Sequence, residues 1–428
     1  RWSPDSRYIG IIRRQQVDER RVQYVESSPS KQLQPKSFTR VYAKPGDKIP
    51  THTVHVFEVV KDGKHFTVDP ALVKDPFDTR DLKWRPDSSG LLFEHIERGF
   101  GAHRVIEIPV ADGKSRAVID ETAETFVFVY GNSYRRDIDG AKEIIWRSER
   151  DGWNHLYLYD GVTGKVKNQI TKGKWVVREV VEVNEDKRQI PFRAAGREPE
   201  QDPYYLHTYR VNFDGTGLLR LTEGDGTHST QVSPDKTVFI DTWSRVDLTP
   251  RHALRRVSDG KLLCELETAD AKDLYATGWR HAERFVAKDR DGKFDIHGII
   301  CRPSNFDPKK KYPVVEVIYA GPHGSFVPKG WRSRYGHWRD ELMELGFITV
   351  QIDGKGTNHR GREFQHFAYK NINDAGFPDR IKWMQAAAKK YPYMDISRVG
   401  IYGGSAGGQN AMAAMLWHGE FYKAAAAD

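Results

Sequence analysis

The sequence predicts two architectures in tandem: an irregular, incomplete β-propeller over residues 1–275, then an incomplete, mostly parallel α/β domain over 285–428. Three observations carry this. Short β-type runs separated by Asp-Gly turns fill roughly the first 270 residues. A Trp-Ser-Pro-Asp-like phrase recurs among them, and after about residue 280 strands begin to alternate with helices around a glycine-flanked serine.

In the first region Asp-Gly pairs stand at 62, 112, 139, 151, 160, 214, 225 and 259. Each marks a hairpin, because both central residues of the favoured two-residue turn need positive φ. Trp2-Ser3-Pro4-Asp5-Ser6, Trp84-Arg85-Pro86-Asp87-Ser88 and Ser233-Pro234-Asp235 each precede an apolar run. Their spacing fits multiples of a 40–50-residue unit such as a propeller blade. A β-sandwich with similar turns is the alternative, although one sandwich rarely needs so many hairpins.

In the second region strands are expected at Ile296–Ile300, Val314–Tyr319, Phe347–Ile352 and Val399–Tyr402, and a further strand at Ala424–Ala427. Helices are expected over 338–345, closed by Gly346, over 377–390 with Ile381, Met384 and Ala388 on one face, and from Asn410 to Trp417. Such alternation builds a sheet covered on both faces.

Gly403-Gly404-Ser405-Ala406-Gly407 lies between the strand ending at Tyr402 and the following helix. This is a G-x-S-x-G nucleophile elbow in its strand–turn–helix setting, so the domain is read as an α/β-hydrolase domain lacking its C-terminal part. A side chain at 403 or 407 would collide with the neighbouring strand or helix, while the Ser405 hydroxyl stands clear. A phosphate-binding turn at the helix N-terminus is the competing reading, but the P-loop lysine and the G-x-G-x-x-G spacing are missing. Oxyanion donors are then expected from the Ala406 amide and from the loop Tyr319-Ala320-Gly321-Pro322-His323-Gly324, where Tyr319 is either a donor or a core tyrosine.

Three segments, Tyr319-Ala320-Gly321-Pro322, Asp353-Gly354-Lys355-Gly356-Thr357 and Gly403–Gly408, resemble the prolyl oligopeptidase clan in its dipeptidyl peptidase IV branch. Arg150-Asp151-Gly152-Trp153-Asn154-His155-Leu156-Tyr157-Leu158-Tyr159 and Tyr42-Ala43-Lys44-Pro45-Gly46 resemble blade segments of that branch. The resemblance covers essentially the whole chain. It implies Ser405 as acylating nucleophile, with the Tyr319 hydroxyl and the Ala406 amide as oxyanion donors. It also implies a serine peptidase releasing N-terminal dipeptides from oligopeptides, and it allows a homodimer. Two positions depart from the mammalian-type pattern: Gly404 and Ala406 replace bulky aromatic residues beside the serine, and Lys355 replaces an arginine.

In this fold the acid and histidine of the triad follow the serine. They are expected beyond residue 428, and the glutamates that grip a substrate's ammonium before residue 1, so that this stretch by itself is nearly inactive. Accordingly His323, His337, His359, His366 and His418 are read as surface or packing residues, and Asp428 receives no catalytic role. An acylaminoacyl peptidase, an endo-acting oligopeptidase or an esterase on the same scaffold, and a non-catalytic propeller binding protein, are the alternatives.

Composition narrows the classes further. The chain of 428 residues is 38% hydrophobic and 29% charged, which fits a packed globular protein rather than a disordered or fibrous one. The charge balance, 67 − 59 = +8, is spread over short basic clusters, so no nucleic-acid track is expected. No run of about 18–20 apolar residues is present, and Cys264 and Cys301 are too few for a disulfide framework. No cofactor and no metal are expected, since H-E-x-x-H and close His/Cys clusters are missing. Compartment stays open, periplasmic and secreted included.

Overall fold

The structure is a computed structural model that describes every residue except Asn132 and residues 333–336, together with the side chains of 337–340. The His337 assignment therefore lies outside the described side chains. The chain forms two compact units, one comprising Arg1–Val129, Asp137–Ile144 and Tyr159–Lys165, the other Tyr130–Arg136, Ile145–Leu158 and Val166–Asp428.

In the first unit the strands Tyr8–Gln15, Thr51–Glu58 and His65–Thr67 form one sheet, and Pro76–Trp84, Gly90–Glu97, Ala102–Pro109 and Arg116–Thr122 form a four-stranded meander. Their core gathers Val54, Val56, Leu91, Phe93, Ile106 and Ile108. The hairpin Arg21–Glu26 with Lys36–Val41 is almost wholly exposed. Residues 130–169 contribute four further strands distributed over the two units.

In the second unit Val176–Val180 to Leu219–Arg220 and Thr227–Val232 to Leu262–Thr268 are two more four-stranded meanders, each antiparallel and in chain order. The repeated phrase takes one conformation in all three places. Ser6, Ser88 and Lys236 have φ of 62°, 64° and 58°. Their amides close the same turn on Ser3, Arg85 and Ser233, each at 2.9 Å. The strand that follows is buried along nearly its whole length only for Gly90–Glu97, where Glu97 alone is partly exposed.

The Asp-Gly pairs, all but Asp225-Gly226, fall between consecutive strands of one sheet, but the turn type differs from expectation. Only Asp139-Gly140 has both residues at positive φ. At 113, 152, 215 and 260 the glycine alone is left-handed. These loops are longer than two residues, and a right-handed turn followed by one left-handed glycine matches strand twist equally well.

The six-stranded sheet that follows has the order Glu283–Lys288, Asp295–Cys301, Ile348–Asp353, Tyr312–Val317, Met394–Gly403 and Tyr422–Ala427. The first three adjacent pairings are antiparallel, antiparallel and parallel, and the remaining two are parallel. The helices Phe377–Lys390 and Ala406–Trp417 pack on it around Val314, Val350, Trp383, Met384, Val399 and Ala411. Gly346, at φ 94°, ends the helix His337–Glu344 as anticipated.

The helix Phe377–Lys390 turns a different face inward from the one expected. Arg380, Trp383, Met384 and Ala387 are buried, whereas Ile381 and Ala388 are only partly so. Arg380 can be buried because its guanidinium donates to Glu316 at 2.6 Å, and Tyr422 donates to the other Glu316 oxygen at 2.7 Å. A charge removed from water needs such a partner.

Candidate active site

The central strand Tyr312–Val317 has Ile348–Asp353 on one side and Met394–Gly403 on the other, although both come later in the chain. The strand order therefore reverses here, and loops leaving the carboxyl ends of such strands diverge into a ligand-accepting crevice. Tyr319 follows one of those strands and Ser405 the other.

Ser405 is exposed, with φ 57° and ψ −121°, a conformation that costs a non-glycine residue about 1–3 kcal/mol. Its surroundings enforce it. A Cβ on Gly403 would lie 2.3 Å from the Gly407 carbonyl oxygen, and one on Gly407 would lie 2.4 Å from that of Ile318. A Cβ on Gly408 would meet the Asp428 carbonyl at 2.4 Å, so Gly408 belongs to the same close packing. By contrast Gly404 has only the Asp428 carboxylate, at 3.7 Å. The Ser405 amide donates to the Asp428 carbonyl at 2.7 Å, tying the bend to the neighbouring strand. Ala406 opens the helix, where an amide has no acceptor within the helix and is available to an anion.

On the other side the ladder ends with Ile318 donating to the Tyr402 carbonyl at 2.8 Å. Tyr319 is half-buried, its ring centre 4.9 Å from Phe326 and 5.5 Å from His323. One ring carbon lies 3.4 Å from where a Gly407 Cβ would be, so the tyrosine runs directly past the elbow. The structure thus brings Tyr319 and the Ser405 turn together.

Residues to which the sequence reading gave no role in the site hold this loop. Asn410 accepts the Ala320 amide at 3.0 Å, and Gln365 donates to the Pro322 carbonyl at 2.7 Å. Asn358 donates its amide to the Gly324 carbonyl. Asp353 accepts the amides of Phe326 and Val327 at 2.9 and 3.1 Å. Only the polar pair Gln409-Asn410 in an otherwise apolar helix hinted at Asn410; nothing in the sequence pointed to Gln365.

Burial raises the Asp353 carboxyl above its ordinary value, against the nearby Lys329 ammonium and the two amides. Lys329 donates to buried Asp202 at 2.9 Å, which holds that carboxylate well below the usual range despite its burial. Lys355 is buried in ion pairs with Asp289 at 3.1 Å and with Asp291, so this position serves the loop's structure. Three of the described histidines sit in packed surroundings. Burial and nearby Arg178 and Arg147 push His359 well below its ordinary value, and burial pushes His366 down to about 4. The ring of His418 packs on Phe377 at 5.2 Å.

Residues 1–250 match the family model of the dipeptidyl peptidase IV N-terminal region, and residues 334–428 match that of the prolyl oligopeptidase family. The chain belongs to the prolyl oligopeptidase clan, in its dipeptidyl peptidase IV branch. It is 26% identical over 368 residues to human dipeptidyl peptidase 8, covering 76% of this chain and 39% of that protein. It is 26% identical over 441 residues to a Coccidioides posadasii protein named probable dipeptidyl-aminopeptidase B, covering 95% and 46%. The chain thus spans less than half the length of these relatives. The crystal structure of Porphyromonas gingivalis dipeptidyl peptidase 4 matches the fold with a TM-score of 0.78 at 23% identity, covering 100% of this chain and 58% of that one. Among the described residues no helix is long and apolar enough to cross a membrane.

Proposed function

We propose that the protein is a serine peptidase that releases dipeptides from the N-termini of oligopeptides. In this reading residues 1–275 form propeller blades, residues 285–428 belong to the hydrolase domain, and the protein works as a homodimer. The in-order four-stranded meanders up to Thr268 and the six-stranded sheet beginning at Glu283 support the division. The relatives' names support the dipeptidyl specificity.

Ser405 Oγ attacks the peptide carbonyl as a histidine takes its proton. The Tyr319 hydroxyl and the Ala406 amide hold the negative oxygen. The C–N bond then breaks, the leaving amine receives the proton, and water releases the acyl group from Ser405 by the same route. The histidine and its acid partner come from the length the relatives have beyond this match. The single observation that carries the reading is the exposed, strained Ser405 beside a tyrosine-bearing loop.

The test uses the full-length protein with a fluorophosphonate probe and paired peptides with free and blocked amino termini. Labelling at Ser405 and cleavage of the free-amine peptide alone are expected. Labelling at another residue removes Ser405, and cleavage of the blocked peptide alone moves the specificity to an acylaminoacyl peptidase.

A further inference from the structure

We propose that Asn410 is a positioning residue that registers the two oxyanion donors against one another, an inference that rests on the roles of Ser405, Tyr319 and Ala406 just given.

Those donors stand on separate elements. Ala406 begins the helix Ala406–Trp417, and Tyr319 stands just past the strand Tyr312–Val317. Backbone pairing between the two chain segments ends at Ile318 and Tyr402, because the elbow strand then bends away into Ser405. The next amide on the loop side, that of buried Ala320, has consequently lost its ladder partner. A buried amide without an acceptor is costly. Asn410, itself only 4% exposed and one helical turn beyond Ala406, supplies the acceptor at 3.0 Å across 90 residues of sequence.

This bond continues the ladder through a side chain at the point where the main chain cannot. It grips the residue adjoining Tyr319. The neighbouring contact, Gly407 against the Ile318 carbonyl, sets how closely helix and loop approach, but it does not prevent sliding along the strand direction. The Asn410 hydrogen bond is directional and resists that sliding. A displacement of about 1 Å at such a site can cost about 10²-fold in rate.

The experiment is a double-mutant cycle in the full-length enzyme with a dipeptide-releasing substrate. Asn410→Ala and the nearly isosteric Asn410→Leu remove the acceptor, and Asn410→Asp keeps it. Both acceptor-free variants are expected to lower kcat about 10-fold with KM changed less than about 2-fold, and Asn410→Asp to restore most of it. Tyr319→Phe is expected to cost about 10²–10³ in kcat. In that background Asn410→Ala should cost little more, because the group being positioned is already gone.

An equal loss with and without the Tyr319 hydroxyl overturns the inference. So do wild-type kcat in both acceptor-free variants, a rise in KM alone, or misfolding of both while Asn410→Asp folds. Wild-type turnover in Tyr319→Phe overturns the oxyanion reading itself and the inference with it. A large Tyr319→Phe effect beside silent Asn410 variants sinks the inference alone.

Discussion

The repeated turns of the antiparallel sheets and the elbow of the six-stranded sheet both place a non-glycine residue at φ near 60°, for opposite reasons. At Ser6, Ser88 and Lys236 the same four-residue turn recurs in three settings of different burial. The local phrase suffices to make it. At Ser405 the conformation is imposed by atoms far away in sequence, the Ile318 carbonyl behind Gly407 and the Asp428 carbonyl on the Ser405 amide. A turn set by its own residues can be edited at small cost. One clamped by distant backbone cannot.

The sharpest break between the two is chemical. If the proposed mechanism holds, Ser405→Ala in the full-length protein is expected to lower kcat by about 10⁴-fold or more while leaving the melting temperature unchanged or slightly raised, since the acyl ester would have no other oxygen to form on. Single-turnover kinetics reads this, and retained turnover would remove the serine from the mechanism.

Next in size is the clamp. Gly407→Ala drives a Cβ into backbone that has no rotamer to yield, and should destabilise the six-stranded sheet by about 1–3 kcal/mol in urea melts. Gly404→Ala, with nothing nearer than 3.7 Å, should be close to neutral. Equal effects at the two positions would show that the elbow is no tighter than an ordinary turn.

Acid tests both regions together. Burial lowers His95 and His366 to about 4 and His207 to about 3, against 6.5 for an unhindered imidazole. The unfolded chain therefore binds more protons than the folded one between these values. Stability is complete above about pH 6.5 and declines as pH falls toward 4. Melting temperatures should drop by several degrees over that window, and His207→Gln should blunt the decline in its own sheet. A flat profile would place these rings in water.

The smallest effect is expected at the repeated turn. Lys236→Gly relieves a left-handed side chain at the cost of backbone entropy, a net stabilisation of about 0.5 kcal/mol. A loss larger than that would mean the lysine side chain, which pairs with Glu182, matters more than the turn.

How far each feature was legible follows the same division. The strand that feeds the elbow and the helix closed by Gly346 were readable because each depends on neighbours in sequence, and the elbow was readable from its glycine-flanked serine between strand and helix, although distant backbone holds its conformation. The Asp-Gly pairs located hairpins but not their turn type, because loop length and strand twist, rather than the dipeptide, select it. The inward face of Phe377–Lys390 was misjudged because Arg380 looks like a solvent residue until Glu316 and Tyr422 are placed beside it. Asn410 and Gln365 were hidden for the same reason, their partners lying 90 and 43 residues away.

The sequence by itself determined where the chain turns, which runs become strands and which serine lies in a glycine-flanked turn between strand and helix, since these follow from residue type and apolar spacing over a few residues. Only the tertiary structure decided that Tyr319 passes the elbow, that Asn410 takes up the orphaned Ala320 amide, and that Lys355 disappears into a pair of aspartates. Those are matters of hydrogen-bond and charge satisfaction between segments that sheet order alone brings together.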